Sequence, residues 1–125
     1  MIILDTSVWI EFFKSNEPYY TKVRELIGKG QVLVIESVFA ELLQGAKNNR
    51  ERELLIGYWE NLPKYAKADL FIEAGITSSE NKWISKGIGL IDSTIILTSR
   101  KSNSKIWTLD KKLKSVLKDI ENYKI

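Results

Sequence analysis

The amino-acid sequence predicts an α/β fold, in which helices cover both faces of a parallel β-sheet. Short apolar runs alternate with longer segments whose apolar residues recur at helical spacing. Residues that can cap a helix follow the apolar runs, so the order of strand and helix is that of βαβ units. Right-handed crossovers then place helices on both faces. With 125 residues the chain has the length of one domain, and we expect that domain to span residues 1–125.

Three apolar runs are expected to form strands. They cover residues 1–4, 32–35 and 105–109, and their short length and apolar character are typical of buried parallel strands. Residues 63–68 show no clear periodicity and leave room for a further short strand.

The helices are defined by apolar residues three and four positions apart. Thr6 or Ser7 can cap the first helix and Ser37 can cap the helix after the second strand, because their side chains accept backbone hydrogen bonds. Pro18 suits the first turn of another helix. The expected helical segments are about 6–13, 18–28, 37–46, 49–62, 69–86 and 111–117.

Residues 88–99 remain ambiguous between helix and strand. Ile91, Ile95 and Ile96 fit the spacing of a helix, whereas the many Thr and Ile residues favour a strand.

Tyr58 and Trp59 raise a different question, because two adjacent aromatic residues cannot both lie at the centre of one narrow helical stripe. We therefore expect aromatic residues of the helices between 49 and 86 to help form a dimer or partner surface.

The composition excludes several kinds of chemistry. The chain has no His and no Cys, which rules out a Ser-His-Asp triad, a thiolate nucleophile and a zinc finger. Any catalysis then falls to carboxylates, hydroxyls, amines or a hard cation such as Mg²⁺ or Mn²⁺. No segment approaches the roughly 20 apolar residues that cross a bilayer, and no basic leader is present, so we expect a cytoplasmic protein.

Four acidic residues are candidates for such a cation site. Asp5 and Asp110 each follow a predicted strand, and the carboxyl ends of parallel strands meet at one edge of a sheet. Asp92 interrupts an apolar stretch, where an unpaired carboxylate is costly, and Glu41 borders the apolar face of its helix. Asp5 and Asp110 could instead be helix caps, and Glu41 an ordinary boundary residue. If the four converge, they repel one another unless a cation neutralises them.

Positive charge is concentrated near the end of the chain. The net charge is only +3, yet residues 100–118 contain seven Lys and Arg side chains against Asp110 alone. Such a segment can attract a polyanion, although it is also compatible with a solvated surface. The candidates for phosphate contacts are Arg100, Lys101, Lys111, Lys112 and Lys114.

Four segments of this sequence resemble one protein family. They are Ile3-Leu-Asp-Thr-Ser7, Phe39-Ala-Glu-Leu-Leu-Gln-Gly45, Gly89-Leu-Ile-Asp-Ser-Thr-Ile-Ile96 and Trp107-Thr-Leu-Asp-Lys-Lys-Leu113. In order, spacing and total length they resemble the PIN-domain ribonucleases, and among these the VapC-type toxins of toxin–antitoxin modules. Ser93 and Thr94 depart from the pattern, since small apolar residues are more usual after the third acid.

The resemblance implies a Rossmann-like three-layer fold with four or five strands, and an endoribonuclease that depends on Mg²⁺ or Mn²⁺. It implies that Asp5, Glu41, Asp92 and Asp110 form the metal and catalytic site, with supporting hydroxyls from Ser7 and Thr108. It further implies an RNA substrate, a homodimer and a small antitoxin whose tail covers the site.

Other functions stay open on the sequence alone. A housekeeping PIN nuclease of RNA processing would use the same chemistry without toxicity, and a non-catalytic α/β binding module would use the acids as caps. A phosphatase of the kind that needs a second Asp two residues after the first is disfavoured, because that position is Ser7.

Overall fold

The computed structural model describes residues 1–125 and contains four short strands and seven α-helices. The strands are β1 (Ile2–Leu4), β2 (Val34–Ile35), β3 (Lys64–Tyr65) and β4 (Lys105–Trp107). The helices are α1 (Thr6–Phe13), α2 (Tyr19–Gly28), α3 (Glu36–Gln44), α4 (Asn49–Asn61), α5 (Leu70–Asn81), α6 (Leu90–Ser102) and α7 (Lys111–Val116). None of the helices has the length and apolar composition needed to cross a membrane.

The strands form a parallel sheet with β1 near its centre. β1 pairs with β4, and β2 pairs with β3, in both cases in parallel. Two backbone hydrogen bonds join these pairs, from the Ile2 N–H to the Gln31 carbonyl (2.7 Å) and from the Leu33 N–H to the Ile2 carbonyl (2.9 Å). The resulting order is β3-β2-β1-β4, and a parallel bridge between Ile106 and Asn122 adds one further edge position. The expected four- or five-stranded parallel arrangement is confirmed.

Helices shield both faces of the central strand. All three residues of β1 are buried, and successive strand residues point to opposite faces. Burial of the whole run therefore requires cover on both sides, which fits its unbroken apolar sequence. Because both faces are occupied, polar groups at the ends of the strands are the ones that can reach solvent or a ligand.

An aromatic cluster fills the core next to α1. Trp9 packs edge-on against Phe39 at 5.2 Å between ring centroids, and Tyr58 lies 5.9 Å from Trp9. Trp59 contacts Phe39 from the other side at 5.8 Å. Tyr58 and Trp59 thus both pack inward, because α4 lies where one aromatic ring reaches α1 and the next reaches α3. The large apolar side chains that remain exposed between residues 49 and 86 include the aromatic Phe71, together with Leu54, Ile56, Ile72, Ile76 and Ile84. A dimer or partner surface that uses aromatic residues of these helices stays a prediction.

The ambiguous segment 88–99 is helical and forms most of α6. Every residue from Ser93 to Ser99 is buried. Ser93 donates to the Gly89 carbonyl (2.9 Å) and Thr94 to the Ile91 carbonyl (2.6 Å), so these two hydroxyls are satisfied by the backbone nearby. The β-branched composition does not decide the conformation here, since tertiary burial outweighs intrinsic preference.

A hydrogen bond between helices explains why Ser37 and Thr94 are polar in a buried place. Their hydroxyl oxygens lie 2.7 Å apart. Thr94 gives its only hydroxyl proton to Ile91, so Ser37 must be the donor in this pair. Ser37 consequently joins α3 to α6 and does not cap α3, which begins one residue earlier at Glu36.

Other helix boundaries differ from the sequence-based expectation. Asp5, rather than Thr6 or Ser7, is the N-cap of α1. The helix expected over 69–86 ends at Asn81, where Lys82 adopts a left-handed conformation (φ 55°), and a 3₁₀ turn follows at Ile84–Lys86. A left-handed residue at this point stops a helix whatever the apolar spacing beyond it.

The carboxyl-terminal segment is held against β4 by a largely buried ion pair. The Arg100 guanidinium Nε donates to Glu121 Oε2 at 2.9 Å, and Glu121 is only 5% exposed. The Trp83 ring lies under the same guanidinium at 5.7 Å. The Tyr123 N–H then donates to the Ile106 carbonyl (2.8 Å), which places this segment along the outer side of β4.

We expect Thr94→Val to destabilise the protein by about 1–2 kcal/mol more than Thr77→Val, because it leaves the buried Ser37 hydroxyl without an acceptor. Thr77 is a matched control, since its hydroxyl donates only to a carbonyl of its own helix, that of Glu73. Urea unfolding of both variants checks this. Equal decreases in unfolding free energy would show that the link between α3 and α6 contributes nothing.

Candidate active site

Asp5 is a buried carboxylate at the end of β1. It is the N-cap of α1, and its Oδ1 accepts hydrogen bonds from the backbone N–H groups of Ser7 (2.9 Å) and Val8 (3.3 Å). The Ser7 hydroxyl also donates to Oδ1, and the Thr108 hydroxyl donates to Oδ2. Burial raises the pKa of Asp5, and these hydrogen bonds act in the opposite direction.

Ser7 and Thr108 tie the ends of β1 and β4 together. The Ser7 hydroxyl accepts from the Leu109 N–H (3.0 Å), and the Thr108 hydroxyl accepts from the Asp110 N–H (3.0 Å). Each hydroxyl therefore donates to Asp5 and accepts from the loop after β4. The two predicted supporting hydroxyls both lie beside Asp5, at the edge of the sheet where Asp110 follows.

Asp110 is exposed and is the N-cap of α7. One oxygen, Oδ1, accepts from the backbone N–H groups of Lys112 (2.8 Å) and Leu113 (3.3 Å). Oδ2 has no hydrogen-bond partner within the protein. Capping and a second role are therefore compatible for this residue, because the cap uses only one of the two oxygens.

Glu41 faces the same region from α3. Its Oε1 accepts a hydrogen bond from the Thr6 hydroxyl, which lies one residue after Asp5. Sequence reasoning assigned Thr6 only a possible capping role, although it lies inside the motif at the start of the chain. The contact fixes one oxygen of an exposed glutamate beside the buried Asp5.

The negative charges of all three other acids affect the pKa of Asp92. It lies in the first turn of α6 and is half-buried. Burial, followed by the negative charges of Asp110 and Asp5, raises the pKa of Asp92 to about 6, and Glu41 adds a smaller effect of the same sign. A hydrogen bond from the Gly89 backbone opposes the shift. The four predicted acids therefore lie close enough together to repel.

No protein cation relieves this repulsion. The three ion pairs of the structure are Lys22–Glu25, Arg100–Glu121 and Lys101–Glu73, and none includes one of the four acids. No three acidic side chains converge closely enough to form a ready-made metal site. The donor set nonetheless fits a hard divalent cation, because it consists of carboxylate oxygens with uncompensated charge.

The basic residues divide into two groups. Arg100 and Lys101 lie in the last turn of α6, at the opposite end of that helix from Asp92, and both are engaged in ion pairs. Lys111, Lys112 and Lys114 lie on α7, directly after Asp110, and form no ion pair. Only the second group adjoins the acidic cluster along the chain.

Comparison with known proteins identifies this arrangement. The chain matches the PIN domain over residues 2–118. The chain belongs to the PIN-domain family. The family inferred from the four sequence motifs is thereby confirmed.

Individual relatives of this PIN domain are distant in sequence but similar over nearly the whole chain. The protein named ribonuclease VapC32 from Mycobacterium tuberculosis is 25% identical over 116 residues, which cover 92% of this chain and 89% of that protein. The crystal structure of VapBC2 from Rickettsia felis, bound to a promoter DNA fragment, matches with a TM-score of 0.68 at 22% identity and covers 92% of each chain. FitAcB from Neisseria gonorrhoeae matches with a TM-score of 0.60 at 20% identity and 90% coverage of each chain.

The metal-free PIN domain should lose stability as the pH rises from about 4 to about 6. The unfolded chain releases the Asp92 proton near the ordinary value of 3.8, whereas the folded protein retains it up to about pH 6. Between these values the unfolded state binds fewer protons, so raising the pH favours unfolding. Below this window the effect of Asp92 is absent, and above it the full effect is present.

Thermal melts in EDTA across this range check the expectation. Asp92→Asn should remove most of the fall in melting temperature, whereas Asp119→Asn, a change at an exposed residue outside the cluster, should keep the wild-type profile. Parallel profiles for wild type and Asp92→Asn would contradict it.

Proposed function

We propose that this PIN domain is a metal-dependent endoribonuclease and the toxin of a toxin–antitoxin pair. The observation that carries the proposal is the cluster of Asp5, Glu41, Asp92 and Asp110, whose mutual repulsion no protein cation relieves. Carboxylates that repel one another without a compensating cation are explained by a ligand that requires them. Similarity to a protein named as a VapC ribonuclease supports RNA as the substrate, and the cytoplasm is the compartment in which such an enzyme would act.

Asp5 and Asp92 are the proposed direct metal ligands, and Asp110 completes the set through Oδ2, which is free of the cap. Ser7 and Thr108 hold Asp5 in one rotamer, so that it reaches the site without rearrangement. Mg²⁺ or Mn²⁺, when bound, would supply a nucleophile from water and polarise the scissile phosphate.

Glu41 is proposed to bind metal or to orient the attacking water. Thr6 engages one carboxylate oxygen, and Oε2 accepts no hydrogen bond from the protein. An exposed carboxylate with one fixed and one open oxygen can accept a proton from water that approaches the phosphate. This division of labour is consistent with Glu41 being exposed while Asp5 is buried.

The RNA backbone is proposed to cross α7. Lys111, Lys112 and Lys114 are exposed, carry no ion pair and follow Asp110 directly, so they can contact phosphates on either side of the site. Arg100 and Lys101 contribute less in this arrangement, because Glu121 and Glu73 already engage them.

An antitoxin and a second copy of the chain are the proposed partners. The structural similarity to VapBC2, whose name joins two components, supports a protein partner. Large apolar side chains that remain exposed on α4 and α5 offer surfaces for such contacts, among them Leu54, Phe71, Ile72 and Ile76. Growth arrest on expression, relieved by the product of a neighbouring gene, would separate a toxin from a housekeeping PIN nuclease.

Asp92→Asn should abolish cleavage of total RNA in the presence of Mn²⁺. Mn²⁺ should also raise the melting temperature of the wild type, because a ligand that binds only the folded state stabilises it. The increase should be smaller in Asp92→Asn and unchanged in Asp119→Asn, which alters an exposed residue outside the cluster. Cleavage assays and thermal melts with and without Mn²⁺ measure both effects.

Two results would contradict the proposal in different ways. Equal metal-induced shifts in wild type and Asp92→Asn would exclude a metal site at this position. If Mn²⁺ raises the melting temperature of the wild type more than that of Asp92→Asn, but the wild type cleaves no RNA, the protein is a metal-binding module and not a nuclease.

Neutralising Lys111 and Lys114 together should weaken RNA binding and reduce its salt dependence. The log–log slope of affinity against salt should fall by roughly 0.7 for each single-strand phosphate that the variant no longer neutralises. Lys105→Gln is the matched control, because Lys105 is the first residue of β4 and therefore lies at the opposite end of that strand from Asp110. Titrations with catalytically inactive protein at several salt concentrations measure the slopes, and identical slopes for all proteins would return α7 to an ordinary solvated surface.

A further inference from the structure

Lys112 differs from the other basic residues of α7 in where its side chain lies. It occupies the first turn of α7, and its backbone N–H donates to Asp110. Its side chain crosses to the loop before α6 and lies over Gly87. A Cβ atom at Gly87 would lie 2.7 Å from Cδ of Lys112, and 3.3 Å from both Cε and Nζ.

Gly87 is suited to hold this side chain for two reasons. Its φ of 80° ends the 3₁₀ turn Ile84–Lys86 in a conformation that other residues rarely adopt. The missing side chain also leaves the space that the Lys112 stem fills, since 2.7 Å is closer than carbon atoms can pack. Gly87 is thus both the stop of the turn and the support of the lysine.

This contact brings the Lys112 side chain to the loop that leads into α6. The loop that carries Gly87 continues to Gly89, the N-cap of α6, and Asp92 lies in the first turn of that helix. α7, which carries Lys112, begins at Asp110. The Lys112 stem therefore spans from the segment of one acid to the segment of the other.

No acidic side chain forms an ion pair with the Lys112 ammonium. It forms no ion pair and no hydrogen bond within the protein. The stem of this exposed side chain contacts Gly87, whereas its charged end remains accessible to a ligand. An anion bound beside Asp110 and the loop before α6 would therefore have an unpaired positive charge nearby.

We propose that Lys112 is a catalytic residue whose ammonium contacts a non-bridging oxygen of the scissile phosphate. The inference rests on the proposed nuclease function. In the reaction, a water oxygen forms a bond to phosphorus, and the bond from phosphorus to the leaving ribose oxygen breaks. The proton of the water passes to a carboxylate or to solvent, and the leaving oxygen takes up a proton from solvent. Lys112 stays protonated throughout and offsets negative charge that builds up on the phosphate.

A contact of this kind affects the rate constant and not only affinity. Charge on the phosphate is redistributed in the transition state, and a fixed positive group stabilises that state more than the bound substrate. Lys111 and Lys114 would instead contact neighbouring phosphates, whose charge does not change during the reaction. The two roles therefore differ in whether kcat or KM responds to substitution.

The test compares Lys112→Gln, Lys111→Gln, Lys105→Gln and Gly87→Ala in steady-state cleavage of a short single-stranded RNA with Mn²⁺. Lys112→Gln should lower kcat by roughly 10²-fold, the size of effect seen when one transition-state contact is removed. Lys111→Gln should raise KM with kcat nearly unchanged, and Lys105→Gln should behave as wild type. Lys112→Arg should retain more of kcat than Lys112→Gln, because it preserves the charge.

Gly87→Ala tests the position of the lysine without changing any charge. The new methyl group should displace the Lys112 stem and lower kcat, although every basic residue is still present. A combined Gly87→Ala and Lys112→Gln variant should be no slower than Lys112→Gln alone, since both changes act on one contact. Thermal melts show which variants are folded, and the exposed Lys112 substitutions keep the test valid if Gly87→Ala does not fold.

The possible failures are distinguishable. A Lys112→Gln enzyme with the kcat of Lys111→Gln would overturn the assignment of Lys112 and leave the nuclease intact. A wild-type protein that binds Mn²⁺ yet cleaves no RNA would overturn the proposed function, and the role of Lys112 with it.

Discussion

The Asp5 carboxylate joins the ends of the paired strands β1 and β4. Its oxygens receive hydroxyl hydrogen bonds from Ser7 on the β1 side and from Thr108 on the β4 side. The same carboxylate begins α1, and the same two hydroxyls position the loop that leads to Asp110. Strand pairing, the start of a helix and the position of a second acid thus all depend on one buried charge. Removing it would disturb the architecture as well as the chemistry, so the effects of changes at Asp5 and at Asp92 have different meanings.

Asp92 contributes to the site in the opposite way. Nothing in the fold requires a negative charge at this place, and burial together with the neighbouring acids disfavours it. The protein keeps the charge where hydrogen bonds support it, at Asp5, and tolerates it without ionic compensation at Asp92. Such a contrast is typical of functional sites, in which some groups are held rigidly so that others can remain unsatisfied until a ligand arrives.

Sequence alone was sufficient for the features that depend on neighbouring residues. Asp5 and Asp110 follow apolar runs directly, so their meeting at one edge follows from parallel topology. The helical state of residues 88–99 could not be decided, because it depends on burial against parts of the chain that are distant in sequence, such as Ser37, which contacts Thr94 from 57 positions away. The surroundings of the positive charges near the end of the chain could not be predicted for the same reason. Glu121 and Glu73 engage Arg100 and Lys101 through contacts that no local pattern reveals, and the position of Lys112 depends on a glycine in a different loop.

The buried pair of Arg100 and Glu121 has a consequence for how this protein can assemble. By fixing the last residues along β4, it occupies one border of the sheet, where Asn122 already pairs with Ile106. The opposite border is β3, which has only two residues and is too short to template another strand. Neither edge of the sheet is therefore suited to pair with a strand of another chain, either in a complex or in a fibril. Recognition between this chain and any other must instead use side chains on the helices, where sequence can change freely without disturbing the backbone ladder.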